Sequence, residues 1–255
     1  MKRIIVCADD YGMSPHVDNA ILDLIKNERI SATSCMTQAL DWKSSARSLQ
    51  PLIKKVAVGL HFDLSHHISL KKLITRSIFN KHDIQSIIDT LKCQLDSFED
   101  QMNCHPKYID GHQHIHMFPK IREAVLKEIY FRYSNDTLWI RNPVVSIYGH
   151  DSPLKAIAMK FLNYGFLTQI KNHGFNTNHS FSGLYSFDDN ADFAKLMENW
   201  IDKASHGSLI MCHPATIGSK DEHYKARINE FQYLMSERYL NYLSFNRINL
   251  TGSVS

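Results

Sequence analysis

The sequence shows no strong excess of either charge. Its 255 residues carry a net charge of +3, from 29 basic and 26 acidic residues. The basic residues are scattered, whereas binding to nucleic acid or to an anionic membrane surface needs a concentrated basic patch. No apolar run approaches the ~18 residues of a membrane-spanning helix. We therefore expect no nucleic-acid partner and no membrane association.

Cysteine is also present without a recognisable pattern. The chain has five cysteines, an odd number, and no C-x-x-C pair, which argues against a disulfide framework or a structural zinc site. The apolar stretch at residues 4–8 is far shorter than the hydrophobic region of a signal peptide. Together these absences favour a reducing compartment, and we expect a cytoplasmic protein.

Repeats, linkers and low-complexity segments are missing as well, so residues 1–255 are predicted to form a single domain. Short β-rich apolar runs alternate with helical periodicity about seven times, which predicts an α/β fold with a parallel sheet, open or closed into a barrel. Predicted strands cover residues 3–8, 32–38, 55–64, 107–111, 137–141, 208–213 and 248–250. Segments 65–82 and 173–188 are predicted to be loops bordering a site, and residues 221–245 to be one long helix.

Histidine, by contrast, is abundant, with 15 residues. Its pKa lies near neutrality and its imidazole is a common metal ligand, so some of these residues are expected to be metal ligands or acid–base groups. Three of them lie in the segment YIDGHQHIH, just after a predicted strand. Their alternation predicts that His112, His114 and His116 point to one side of an extended segment.

Polar residues follow four of the predicted strands, in the segments VCADDYG, VGLHFDL, YIDGHQHIH and IMCHPA. The carboxyl ends of parallel strands share one face, so these residues are predicted to converge there. Two histidines and a carboxylate suit a divalent transition metal, and magnesium less well, with positions left for water and substrate. The converging residues are Asp9, Asp10, His61, Asp110, His112 and His213.

Each of these residues has a simpler explanation when it is taken alone. Asp9 and Asp10 could mark the start of a helix, where acidic residues are favoured. His61 could be a core histidine, the three alternating histidines could face solvent, and His213 could merely end a strand. Asp9 and Asp10 also point to opposite faces if both lie in a regular strand, so a shared site requires a turn. The convergence of four segments favours the metal site.

The same segments resemble the YdjC-like carbohydrate deacetylases, a family that includes bacterial chitooligosaccharide deacetylase. The stretch IIVCADDYGMSPHVDNAILDLIKNERISATSCM is similar to the opening of the family. The motifs VGLHFDLS, HPKYIDGHQHIHMFPKI and LIMCHPA are similar to three later motifs in the same order, and HQHIHMFP is the most specific part.

The resemblance implies an irregular (β/α) barrel of about seven strands that removes the N-acetyl group of an acetylated, chito-oligosaccharide-like amino sugar and releases acetate. On the family pattern Asp10, His61 and His112 would bind a divalent metal, magnesium or zinc. Asp9 would be the general base and His213 the general acid. The resemblance also implies a homodimer.

Four further residues are weaker candidates. His114 is the alternative to His112 as a ligand, Asp110 is a candidate for orienting a ligand histidine, and Arg141 for contacting Asp9 or substrate. His179 is a candidate for touching substrate. Asp-Gly-His at 110–112 departs from the Asp-Ser-His usual in the family, and residues 65–83 lack its usual glycine-containing stretch.

Two other classes of function remain open. A different metal-dependent amidohydrolase or a phosphoesterase could use similar ligands, although a glycine-rich phosphate loop and a lysine ligand are missing. A sugar-binding regulator without catalytic activity is the other alternative. It would have no need of Asp9 and His213.

Overall fold

The computed structural model describes residues 1–65, 68–133, 137–144, 153–220 and 223–254. Within these ranges it has nine strands: β1 (Lys2–Tyr11), β2 (Ala32–Cys35), β3 (Ala57–Phe62), β4 (Tyr108–Gly111), β5 (Trp139–Ile140), β6 (Asn176–Thr177), β7 (Phe181–Ser182), β8 (Ser208–Cys212) and β9 (Ile248–Leu250). All recorded pairings are parallel, in the order β6-β5-β4-β3-β2-β1-β8-β7, and β9 pairs with the start of β1. The two ends of this order, β6 and β7, follow each other in the chain. The sheet therefore curls into an irregular (β/α) barrel, as predicted.

Ten helices connect these strands in the described ranges: α1 (Pro15–Lys26), α2 (Trp42–Leu49), α3 (Leu70–Ile78), α4 (Ile84–Met102), α5 (Ile121–Tyr133), α6 (Pro153–Asn163), α7 (Phe166–Asn172), α8 (Phe193–Lys203), α9 (Tyr224–Met235) and α10 (Glu237–Phe245). Side-chain hydrogen bonds cap the N-termini of several of these helices. Ser14 accepts a hydrogen bond from the Val17 amide ahead of Pro15, and Asp83 caps α4 in the same way.

The strand period of two separates an outer core from an inner one. In β1, Ile4, Val6 and Ala8 pack in the outer cluster under the helices. Ile5 and Cys7 belong to a second cluster inside the barrel, which also contains Tyr108, Trp139, Phe181, Leu209 and Met211. Side chains alternate along a strand, so every second residue points into the barrel. At the carboxyl ends of β1, β4, β5 and β8 the next inward-pointing residues are Asp9, Asp110, Arg141 and His213. The barrel therefore brings these polar side chains together at the carboxyl ends of its strands.

A glycine makes room for the aromatic filling of this barrel. Tyr108 stacks on Trp139 with ring centroids 4.3 Å apart, and its ring lies directly against Gly59 in β3. Any Cβ at Gly59 would collide with the ring atoms of Tyr108. His61 lies two residues further along β3 and therefore points to the same interior.

Three local predictions were wrong. Segment 65–82, predicted as a loop, contains α3, and segment 173–188 contains the short strands β6 and β7. The single helix predicted over 221–245 is two helices, because Ser236 adopts an extended conformation and its hydroxyl caps α10 at the Tyr239 amide. The helix break depends on one side-chain cap, and β6 and β7 depend on two-residue pairings, neither of which hydrophobic periodicity reveals.

Candidate active site

The end of β1 brings two adjacent carboxylates to one place. Between Ala8 and Tyr11 the pairing with β2 gains one residue, the pattern of a β-bulge. Asp10 takes a left-handed conformation with a φ of 70°, which breaks the strand alternation. Asp9 and Asp10 are both buried and line the same pocket. The turn that a shared site requires is therefore present.

The segment after β4 has a different shape from the prediction. Residues His112–Met117 form a short 3₁₀ segment, not an extended row. Gln113 and His114 both adopt left-handed backbone, with φ of 53° and 59°. The prediction that His112, His114 and His116 point to one side was therefore wrong. Consecutive left-handed residues without glycine are costly and cluster at functional sites.

His112 and His116 consequently have different surroundings. The His112 side chain reaches Asp10, with Nδ1 3.1 Å from Oδ1. His116 is fully buried, and its Nε2 bonds to the carbonyl of Arg141 at 2.8 Å. The bend of the chain sends one imidazole to the strand ends and the other to the core.

Three residues from three segments meet as a candidate metal centre. Each of Asp10, His61 and His112 offers one ligand atom, and these atoms all lie within 4.8 Å of one another. His61 Nε2 lies 3.5 Å from Asp10 Oδ1. His114, the alternative to His112, is not in this group but lines the same pocket. One carboxylate and two imidazoles form a donor set that suits zinc or another borderline cation, and a protein carboxylate also suits magnesium.

Neighbouring groups orient two of these candidate ligands. Asp110 Oδ1 accepts a hydrogen bond from His61 Nδ1 at 2.6 Å, so Nε2 faces Asp10. Arg227, on α9, donates to Asp10 Oδ2 at 2.6 Å and leaves Oδ1 toward the histidines. Such contacts fix ligand orientation. The contact between Asp110 and His61 was expected, whereas Arg227 had no local sequence signal.

A second grouping of ligand-type residues has a different explanation. Cys7, Asp9 and Asp110 lie close together, but the Arg141 guanidinium already fills the space between the two carboxylates. Arg141 donates to both oxygens of Asp9, at 2.6 and 2.7 Å, and lies 2.5 Å from Asp110 Oδ2. Although burial opposes ionisation, Arg141 and His61 hold the pKa of Asp9 below its usual value. Asp9 is therefore ionised, and the expected contact with Arg141 is present.

Loss of Arg141 should destabilise the protein strongly. Arg141 is fully buried, so Arg141→Met leaves two carboxylates without their shared cation, a loss of about 3–5 kcal/mol in the free energy of unfolding. Denaturant unfolding measures it. Arg132→Met is the matched control, since Arg132 binds Glu99 and Asp96 near the surface and should cost about 1 kcal/mol or less. Equal losses in the two variants would contradict the prediction.

The candidate centre lies in a cavity of about 550 Å³. Asp9, Asp10, His61, His112 and His213 all line it, so the residues predicted as metal ligands, base and acid lie in one pocket. Apolar side chains form much of the remaining wall: Met13, Leu70, Ile74, Met117, Phe118, Met159, Leu162, Leu184, Phe187 and Met211. Gln113, His114, His223 and Arg227 complete the polar part.

His213 is neutral in this environment. Burial is the largest effect, and although Asp10 and Asp9 oppose it, the pKa of His213 falls to about 4. The rings of His213 and Phe187 are 5.1 Å apart in an edge contact. Among the described residues, Nδ1 of His213 has no hydrogen-bond partner.

Two weaker candidates lie elsewhere or differ from their expected role. His179 does not line the cavity, and its Nδ1 bonds to the carbonyl of His206 at 2.8 Å. His114 is neutral, because burial and the nearby Arg141 hold its pKa well below the usual value. Its ring contacts Phe181 edge-on, at 5.4 Å.

The fold and the site define a class: an irregular (β/α) barrel with a divalent-cation donor set and an ionised aspartate in one pocket at its strand ends. The chain belongs to the YdjC-like family, whose model matches residues 3–244. Chitooligosaccharide deacetylases of Yersinia pestis (strain Pestoides F) and Yersinia pseudotuberculosis (strain YPIII) are each 27% identical to it over 232 residues, covering 85% of this chain and 83% of theirs.

Solved structures share the fold. A protein of Enterococcus faecalis V583, described as a cellobiose-phosphate cleavage protein, superposes with a TM-score of 0.72 at 20% identity, over 98% of this chain and 97% of its own. The Bc1960 peptidoglycan N-acetylglucosamine deacetylase gives a TM-score of 0.54 at 10% identity, over 98% and 85%. In the described ranges no helix is both long enough and apolar enough to cross a membrane.

Proposed function

We propose that the protein is a metal-dependent carbohydrate deacetylase that hydrolyses the N-acetyl group of an amino sugar and releases acetate. The observation that carries this proposal is the meeting of Asp10, His61 and His112 beside the ionised Asp9 carboxylate in one pocket. The names of the Yersinia relatives support the same chemistry. The homodimer that the resemblance implies stays a prediction.

The donor set fits a divalent cation. His61 presents Nε2 to Asp10 because Asp110 occupies its Nδ1, and Asp10 presents Oδ1 because Arg227 occupies its other oxygen. Three protein ligands leave positions for water and substrate. A bound divalent cation would polarise the acetyl carbonyl and lower the pKa of the attacking water. Zinc and magnesium are the proposed candidates.

Asp9 is the proposed general base. It lines the cavity, and Arg141 keeps it ionised and fixes both of its oxygens. A carboxylate with a lowered pKa is a weak base, so it can accept a proton efficiently only from a water that is itself acidified. The pairing of Asp9 with a cation site meets that requirement.

His213 is the proposed acid for the leaving nitrogen. Its pKa of about 4 means that it begins neutral at pH 7, before substrate binds. The proton that it donates must therefore be acquired during the reaction. Its source is the proton that Asp9 accepts from the attacking water, and passing it on returns Asp9 to its ionised form. Hydroxide from the water bonds to the acetyl carbon, the C–N bond breaks and the nitrogen takes the proton. The products are acetic acid, which ionises to acetate at neutral pH, and a free amino sugar.

The cavity wall suits a sugar ring with an acetyl group. Sugars present apolar C–H faces as well as hydroxyls, and Phe187 and the methionine side chains provide apolar contact area in the wall. His114 and His223 provide nitrogens at the same wall. We propose a small N-acetylated amino sugar of the chito-oligosaccharide type as substrate.

Acetate release from N,N′-diacetylchitobiose tests the proposal. Metal-stripped protein should be inactive, and adding back zinc, magnesium, manganese or cobalt in separate reactions should restore acetate release with at least one metal. Phosphate release from aryl phosphates is the matched control for a phosphoesterase. Acetylated sugars that bind without turnover under every metal condition would favour the regulator instead.

A further inference from the structure

A buried carboxylate lies outside the proposed reaction. Glu230, in the middle of α9, is fully buried. Its Oε2 accepts a hydrogen bond from the backbone amide of His213, just after β8. Its Oε1 accepts a hydrogen bond from the hydroxyl of Tyr185 at 2.7 Å. One side chain thus links three separate segments at the wall of the cavity.

This arrangement is energetically costly. Burial raises the pKa of Glu230 to about 7, although the His213 amide, Tyr185 and Arg227 all favour the ionised form. A buried carboxylate of this kind contributes little to packing, and an apolar residue of similar size usually serves a core equally well. The cost points to a role in holding its two donors in place.

Both donors lead to the imidazole of His213. Tyr185 stacks on Phe187 with ring centroids 4.4 Å apart, and Phe187 contacts the His213 ring edge-on. Phe187 holds that position with a left-handed backbone φ of 59°, a strained conformation for a bulky residue. Glu230 therefore contacts the main chain of His213 directly. It is also linked to the His213 side chain indirectly, through the rings of Tyr185 and Phe187.

The imidazole lacks the usual means of orientation. A histidine that transfers protons is commonly aligned by a hydrogen bond to one ring nitrogen. Within the described ranges, Nδ1 of His213 has no such bond. The backbone amide contact and the edge of Phe187 are therefore the contacts that set where the ring lies.

We propose that Glu230 is the positioning residue for His213, acting through the His213 amide and through the Tyr185–Phe187 stack. This inference rests on the proposed function, in which His213 delivers a proton to the leaving nitrogen. Glu230 itself does not touch substrate. Its effect should appear in proton delivery rather than in substrate or metal binding.

Replacement of Glu230 should separate amide from ester hydrolysis. Glu230→Leu removes both acceptors and should lower kcat on N,N′-diacetylchitobiose by ~10²-fold, the lower end for general acid–base catalysis, with KM and zinc affinity unchanged within twofold. Hydrolysis of p-nitrophenyl acetate should be unaffected, because nitrophenolate leaves without protonation. Glu230→Gln keeps one acceptor oxygen for the amide and should recover most of the activity.

One further variant tests the link through Tyr185, and another serves as a control. Tyr185→Phe removes only the hydrogen bond between Glu230 and the Tyr185–Phe187 stack. It should cause a smaller loss of kcat, again selective for the amide substrate. Glu198→Gln is the control. Glu198 also accepts a hydrogen bond from a tyrosine hydroxyl, that of Tyr233 at 3.2 Å, but its other recorded partner is the Arg238 guanidinium and not the His213 amide.

The outcomes separate this inference from the proposed function. Equal losses on amide and ester, or Glu230→Leu and Tyr185→Phe variants that behave like Glu198→Gln in an otherwise active enzyme, would overturn the positioning role. Wild-type protein that releases no acetate under any metal condition would instead overturn the proposed function. If Glu230→Leu does not fold, Tyr185→Phe still gives an amide-to-ester ratio that a positioning role must change.

Discussion

Replacing His61 or His112 by alanine should abolish metal-dependent acetate release and weaken binding of a divalent cation by more than ~100-fold. Loss of groups that merely orient a ligand typically costs 10–100-fold in metal affinity, so loss of a ligand should cost more. The group contains one carboxylate and the two imidazoles of His61 and His112, so loss of either imidazole leaves only two ligands in it. Titration of metal-stripped protein with zinc, followed by calorimetry, measures the loss.

His114→Ala is the matched control for His112→Ala. The two residues are neighbours in the same 3₁₀ segment and line the same cavity, but only His112 belongs to the ligand group. His114→Ala should therefore retain zinc affinity within a few-fold. Loss of zinc binding in His114→Ala, with retention in His112→Ala, would transfer the ligand role to His114.

Metal binding should also depend on pH in a defined direction. Burial alone would lower the pKa of His61, but the carboxylates of Asp110 and Asp9 outweigh it and raise the pKa to about 10. A proton and a cation then compete for Nε2, so binding of the cation releases a proton. The apparent affinity of the wild-type protein should increase as pH rises toward 10, and a flat profile would contradict this assignment.

Asp9→Asn should lower turnover by ~10²–10⁴-fold while metal affinity stays close to that of the wild type, which is the usual effect of losing a general base. Asparagine has the same shape but cannot accept the proton. Arg141 keeps its second partner, Asp110, so the barrel interior retains a charge pair. Initial rates of acetate release at saturating metal, together with zinc titration, measure both quantities.

Asp110→Asn provides the contrast. Asp110 bonds to Nδ1 of His61, so its loss should weaken metal binding by about 10–100-fold and be partly compensated by excess metal. The Asp9→Asn defect should persist at any metal concentration. Near-native turnover in Asp9→Asn would remove Asp9 from the role of base.

Strand ends explain why so much of the site could be predicted from the sequence. Asp9, His61 and His213 each lie in a short segment whose apolar residues predict a parallel strand. Such strands all deliver their carboxyl ends to one face, so the meeting of distant residues follows from the fold class. The family motifs then suggested which of the converging residues would bind a metal.

The segment after β4 shows where that reasoning failed. Alternation of histidines predicted an extended row, but Gln113 and His114 adopt left-handed backbone and divert the chain. Nothing in the residue types demands this, because neither is a glycine. The residues that follow, Ile115, Met117 and Phe118, are buried in the core, and we infer that their packing selects this conformation. A local pattern cannot report a backbone that tertiary contacts determine.

Arg227 and Glu230 show a second kind of failure. Both lie on α9, about one helical turn apart, in a segment that the sequence predicted only as part of a long helix. Arg227 reaches Asp10 across a separation of 217 residues, and Glu230 reaches the end of β8. Their partners are defined only by where the helix packs against the barrel.

The sequence by itself determined the parallel α/β architecture and the set of chemical residues at the strand ends, because strand periodicity and the shared direction of parallel strands are local properties that repeat along the chain. Only the tertiary structure decided that His112 rather than His114 joins Asp10 and His61, and that α9 supplies contacts to both Asp10 and His213. These choices depend on left-handed turns and on the docking of a distant helix, whose energies come from contacts between residues far apart in the chain.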